Sequence, residues 1–209
     1  MSNKDKTDNF GNRMKSYESF GNNILNDYDP VIIRLDGNSF SKLKDKYPLV
    51  KPYDSRFQTA MWNAATAVLE YCSYSKIAYI QSDEITILLN RTDYNQGAFL
   101  NNRKDKICSL AVGDCNTVFN DTLSDLLGMK VREKFDCRVF NVPKFDVNNA
   151  FLWRQLDCFK NFVSSIVYFK LMDKYGQKKA FNMVAGLSTN QRQELFFQEF
   201  GENINDYTV

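Results

Sequence analysis

Ala78-Tyr79-Ile80-Gln81-Ser82-Asp83-Glu84-Ile85-Thr86-Ile87-Leu88-Leu89 consists of two apolar runs that meet at a polar corner. Ile77, Tyr79, Ile80, Ile85, Ile87 and Leu89 favour strands, and Ser82-Asp83 is turn chemistry. The stretch reads as a β-hairpin whose tip presents Asp83 and Glu84. A hairpin tip alone is usually just solvated. A second acidic corner, Val31-Ile32-Ile33-Arg34-Leu35-Asp36-Gly37, ends an earlier strand about one crossover upstream. Two strand-end carboxylates that meet in space suit a pair of magnesium ions.

The segments around these corners say whether they meet. After Val31–Leu35 and the loop Asp36-Gly37-Asn38-Ser39-Phe40, Lys51-Pro52-Tyr53-Asp54-Ser55-Arg56 starts a helix with Asp54 or Ser55 as its cap. Phe57, Ala60, Met61, Ala64, Ala67, Val68 and Tyr71 then recur at helical spacing, as in a helix lying on a sheet. Beyond the hairpin, a second helix is expected over residues 97–116, with Arg103 and Lys106 one turn apart, continuing partly helically to 134. Phe135–Val142 alternates as a strand and Pro143 stops it. Strand–helix–strand–strand–helix–strand is the split βαβ, ferredoxin-like order, an α+β fold. A right-handed crossover makes the first two strands parallel, with the third between them. Asp36 and Asp83 then share one end of the sheet. Gly37, directly after the carboxylate, permits a sharp turn and close approach of a ligand, or simply ends the strand.

Residues 147–175 form a long helical stretch whose apolar density predicts hard packing against the rest, closed by Gly176. Two short helices are expected between Phe181 and Phe200, with Ser188 as a cap, and Met14–Phe20 starts another. The expected organisation is a palm-like core with an N-terminal extension over 1–145 and a helical region over 146–209, packed as one unit.

Composition narrows the chemistry. The 209 residues hold 27 Lys and Arg against 25 Asp and Glu, a net charge of +2, so charge alone announces no nucleic-acid partner. There is no histidine, which excludes a His general base, a His-ligated metal and a Ser-His triad. Catalysis would rest on carboxylates, Lys, Arg and bound metal. Five scattered cysteines without CxxC spacing argue against a zinc site and for reduced thiols in a cytosol-like compartment. No apolar run is long enough to span a bilayer, and the polar start Met1–Lys6 lacks a signal-peptide pattern.

At Arg34–Phe40, Lys51–Arg56 and Gln81–Glu84, extended by Phe135-Asp136-Cys137-Arg138-Val139 and Trp153-Arg154-Gln155-Leu156-Asp157-Cys158, the sequence resembles the tRNA-His guanylyltransferase superfamily. Its palm resembles that of polymerases and nucleotide cyclases, yet it extends tRNA at the 5′ end, in the 3′→5′ direction. The resemblance implies that Asp36 and Asp83 hold two Mg²⁺ ions with the Gly37 carbonyl. Glu84 is then a nearby carboxylate needed for activity, less certainly a ligand. It places Arg34, Asn38, Ser39, Phe40, Ser82, Asp54 and Ser55 around the nucleotide, and Lys51, Arg103 and Lys106 on the triphosphate of ATP or GTP. It further implies tRNA as partner and a homo-oligomer, a tetramer by analogy; the reduced thiols point to a cytoplasmic enzyme, with a mitochondrial location left open. Arg154, Lys160, Asn161, Lys174 and Lys178 are candidate tRNA contacts; Trp153, Arg154 and Gln155 read equally as structural.

One departure bears on the branch. Enzymes of the family that add a non-templated guanylate carry His-Ile-Asn-Asn-Leu-Tyr-Asn after the Trp-Arg-Gln segment. Here Phe159-Lys160-Asn161-Phe162-Val163-Ser164-Ser165 stands there, and only Asn161 survives. This resembles the guanylyltransferase-like branch, which implies templated repair of 5′-truncated tRNA. The alternatives are a cyclase-like palm, which also uses two carboxylates, and a non-catalytic RNA-binding module.

Overall fold

The computed structural model describes residues 23–50 and 53–207, with Met14 and Tyr17. Most of the helix start expected at Met14–Phe20 lies outside the described residues, as does Lys51. Four strands, β1 (Val31–Gly37), β2 (Ser75–Gln81), β3 (Glu84–Leu89) and β4 (Phe135–Asn141), form one antiparallel sheet in the order β2-β3-β1-β4. This is the split βαβ order expected. A short turn of helix, α1 (Leu43–Lys46), follows β1; α2 (Ser55–Tyr71) joins β1 to β2, and α3 (Lys104–Leu127) joins β3 to β4.

Strand alternation sends Ile33, Leu35, Ile85, Ile87 and Val139 to one face, all fully buried. There they meet Ala60, Ala64 and Val68 of α2 and Ala111, Cys115, Phe119 and Leu123 of α3 in one cluster. Each buried branched or aromatic side chain contributes about 2 kcal/mol, so this layer fixes the register of every strand. Asp54 caps α2 by accepting from the Arg56 N–H at 2.9 Å, as the helix start predicts.

The second crossover differs from expectation. Leu100, Asn101 and Asn102 adopt left-handed backbone (φ 49°, 54° and 54°), so α3 begins at Lys104 and not near Gly97. It then runs unbroken to Leu127, where Gly128 (φ 64°) closes it in the left-handed conformation glycine tolerates.

The long helix α4 (Val147–Tyr175) has two unlike halves. Phe162, Val163, Ile166, Val167 and Leu171 form a second buried cluster with α5 (Gln177–Val184), α6 (Thr189–Phe200) and Ile204. Ser188 caps α6 in a capping box with Gln191, as expected. The first half crosses the other face of the sheet. It leaves Leu152, Trp153 and Leu156 half or more exposed (50, 57 and 53%), which corrects the expectation of hard packing and of Trp153 as a core residue. Apolar density along a helix does not say which residues find a neighbour. No helix among the described residues is long and apolar enough to cross a membrane.

Candidate active site at one end of the sheet

The connectivity brings the two acidic corners together. The Gly37 N–H donates to the Asp83 carbonyl at 3.0 Å, and Asp36 pairs with Glu84 across β1–β3 and with Asp136 across β1–β4. Asp83 follows Ser82, which turns the hairpin with a left-handed backbone (φ 50°). Burial pushes the Asp83 carboxyl above the usual aspartate range, and the charges of Asp36 and Glu84 push it the same way. Among the described residues no salt bridge joins Asp36 or Asp83 to a basic side chain. Two crowded carboxylates at a half-open rim, without a cationic partner, are a donor set that fits a hard divalent cation. No group of three His, Cys, Asp or Glu side chains able to hold a metal exists among the described residues. Further ligands would therefore come from main chain, water and phosphate, as is usual for Mg²⁺.

The remaining predicted residues divide sharply. Asn38 and Ser39 are exposed beside Asp36; the Asn38 N–H is tied to the Lys134 carbonyl at 2.8 Å, and Ser39 has φ 62°. Ser82 is exposed at the corner and Ser55 opens α2 at the same end. Arg34 lies two residues below Asp36, with its guanidinium over the Phe140 and Trp153 rings at 5.9 and 5.5 Å. Arg138, quoted in a motif but assigned no role, pairs directly across from Arg34 and is exposed. Like charges facing one another in a sheet cost stability. The register was the missing signal: it sets both arginines on the carboxylates' face.

Phe40 does not line the rim. Its ring is buried against Phe119 and Phe135, at 5.3 and 4.9 Å between centroids. A Cβ on Gly37 would fall 2.4 Å from that ring, so the glycine makes room for Phe40 and not for a ligand. Asp54 is likewise internal. Both oxygens accept bonds, from Val50, Arg56 and the α2 start, and the Arg56 guanidinium holds its carboxyl well below the usual range. Its carboxylate is spent on shaping this loop, the one the resemblance sets around the nucleotide pocket.

Arg103 and Lys106 stand at the wrong end for the triphosphate role the resemblance implied. Arg103 bridges to Ile24, Leu25 bonds Asn102, and Asn102 bonds Asp27, all beside the start of β1. The seven-residue β1 separates them from Asp36 by about 20 Å. A cleft of about 390 Å³ lies at this far end, between Asp27, Tyr28, Arg91, Tyr94 and Ala98.

Glu84 turns from the corner into α4. Arg154 Nε and Nη2 donate to its two oxygens, both at 2.7 Å, and Nη2 reaches Asp157 at 3.1 Å. Arg154 is 9% exposed, so it cannot serve the tRNA contact considered for it. Lys160, Asn161, Lys174 and Lys178 are all exposed; Lys174 is tied to the Glu199 carboxylate at 3.0 Å and Asn161 donates to Asp157 at 3.4 Å. Above the sheet, burial, with the neighbouring Cys158 of α4 adding to it, pushes the Tyr79 hydroxyl up to about 12.

The family model described as tRNAHis guanylyltransferase matches residues 11–143. The tRNA(His) guanylyltransferase of Debaryomyces hansenii is 28% identical over 184 residues, covering 84% of this chain and 68% of that protein. The chain spans 60% of the length of the human, mouse and bovine relatives it matches. A bacterial tRNA(His) guanylyltransferase-like protein solved in complex with ATP superposes with a TM-score of 0.85 at 29% identity, over 96% of this chain and 84% of that one. A second such structure, in complex with GTP, has a TM-score of 0.74 at 30% identity, over 78% of each chain. The match covers the sheet, both crossovers and both acidic corners, and the chain belongs to the tRNAHis guanylyltransferase family, a family of nucleotidyltransferases.

Proposed function

We propose that this chain adds nucleotides to the 5′ end of tRNA in the 3′→5′ direction, with a pairing strand choosing the nucleotide, in the cytoplasm. One observation carries the reading: Asp36 and Asp83 meet at one end of the sheet, joined through the Gly37–Asp83 main-chain bond. The relatives solved with ATP and GTP support nucleoside triphosphates as substrates. Asp36 and Asp83, with the Gly37 carbonyl, would hold two Mg²⁺ ions, which when bound lower the pKa of a hydroxyl nucleophile and neutralise phosphoryl charge.

The reaction runs in two steps. A 5′-monophosphate on the RNA attacks the α-phosphate of ATP, and pyrophosphate leaves. The 3′-hydroxyl of an incoming triphosphate then attacks the activated 5′-phosphate, and AMP leaves. The exposed Asn38, Ser39 and Ser82 border the space for the triphosphate, and Arg34 and Arg138 supply positive charge on the same sheet face. The open rim suits a substrate as large as tRNA. Lys160, Asn161 and Lys178 are exposed candidates to meet its backbone.

The test is a 5′-truncated, 5′-labelled tRNA incubated with Mg²⁺, ATP and single nucleoside triphosphates. Extension only by the nucleotide complementary to the opposite strand supports the reading. Extension by guanylate regardless of the opposite base contradicts the templated branch, and a cyclic product from nucleotide alone contradicts the whole reading.

A further inference from the structure

We infer that Arg154 is a positioning residue for the Asp36–Asp83 rim: it anchors the hairpin corner to α4 through Glu84, and Glu84 acts as the other half of that anchor and not as a cation ligand. The inference takes from the reading above what the rim does. The anchor itself rests on contacts around the corner.

The planar Arg154 fork meets the Glu84 carboxylate with two bonds of 2.7 Å, and the Thr86 hydroxyl donates to the same carboxylate at 3.2 Å. Both charged side chains are 11% exposed. Gln81, on the other side of the turn, closes the same grip. With its amide oriented to suit its partners, it donates to the Arg154 carbonyl at 2.6 Å and accepts from Nη2 at 2.7 Å. Gln81 and Glu84 are the last paired residues of the hairpin. Only Ser82 and Asp83 lie between them, so both feet of the turn are bound to one residue of α4. The left-handed Ser82 backbone is a conformation that persists only when its surroundings hold it. Asp83 therefore takes its direction toward Asp36 from a corner fixed at both feet. Asp157 and the Trp153 ring, 4.6 Å from the guanidinium, hold Arg154 in turn.

Breaking one half of a buried ion pair strands a charge, whereas replacing both halves with apolar side chains of similar size is well tolerated. Glu84→Met, Arg154→Met and the double variant separate the roles. The readout is affinity for Mn²⁺·ATP by calorimetry, without tRNA, at a temperature where circular dichroism shows each variant folded. Each single variant should bind at least about tenfold more weakly, as loss of support around a metal site does. The double variant should bind within about threefold of the single variants, because all three remove the same anchor. A double variant at least about tenfold weaker than Arg154→Met overturns the inference, since Glu84 would then act on the cation independently of Arg154. Folded single variants with native affinity overturn it too, since the pair would serve the fold alone. If Glu84→Met is too unstable to measure, Glu84→Gln takes its place in the same comparison. A native chain that binds Mn²⁺·ATP but never extends tRNA sinks the transferase reading and leaves the anchor to be judged by the binding cycle.

Discussion

The two ends of the sheet treat their polar groups in opposite ways. At the start of β1, the Asn141 side chain accepts from the Asn26 N–H and donates to the carbonyls of Asn26, Asp29 and Pro30. Arg91 there donates to the Gln96 and Asp27 carbonyls, and Asn102 to the Asp27 carboxylate. Polar groups at that end are spent on one another. At the finish of β1, Asp36 and Asp83 are pressed together, and burial, with the Asp36 charge adding to it, raises the Asp83 pKa. A polar group with an internal partner holds a fold together. One kept beside a like charge costs stability, and what it does is found in what it binds.

The largest effect that sharpens this contrast is on catalysis. Asp36→Asn or Asp83→Asn should lower 5′ extension by about three orders of magnitude, while leaving the circular dichroism spectrum unchanged. At the far end, Asn141→Ala should do the reverse. Losing its bonds costs about 2 kcal/mol in urea unfolding, with the extension rate of the folded protein within about threefold of native. Arg103→Ala and Lys106→Ala should each change kcat/KM by less than about tenfold, as expected for charges a strand length from the chemistry. A loss as large as that of the aspartates would break the contrast, because the far end of another copy would then have to reach the rim.

The smallest effects concern pH and have opposite signs at two aspartates. The Asp83 pKa is raised in the fold, so the folded state holds its proton more tightly than the unfolded chain. Metal-free stability is therefore lost as pH rises from the ordinary aspartate value through the raised one. Asp83→Asn should stabilise the metal-free protein at neutral pH. The Asp54 pKa is lowered by Arg56 and the helix start. Its contribution is fully present above the ordinary aspartate value and is lost as pH falls through the depressed one. Asp54→Asn should destabilise at neutral pH. Thermal melts in a chelator, at acidic and neutral pH, read both.

Much of the fold was legible because local signals agreed. The Ser82-Asp83 corner, the Asp54 and Ser188 caps and the order of strands and helices led to the observed topology, and the topology brought Asp36 to Asp83. The same topology holds the misplaced cations. A helix entered from the end of β3 must start at the far end of the sheet, so Arg103 and Lys106 could not face Asp83 from within this chain. Motif order carries no such direction. Other features depend on contacts that spacing does not encode. Phe40 folds back over Gly37, three residues away, and Arg154 finds Glu84 seventy residues upstream. The exposed half of α4 shows the limit of periodicity: Leu152 and Leu156 repeat at helical spacing but have no buried layer to meet.

The most direct test of the central claim is a crystal of the native chain soaked with Mn²⁺ and ATP, with data collected at the manganese edge. The account predicts anomalous density between the Asp36 and Asp83 carboxylates, with the ATP phosphates beside it and Glu84 still bound to Arg154. Manganese held elsewhere, or phosphates seated at the Arg103 end of the sheet, would contradict it.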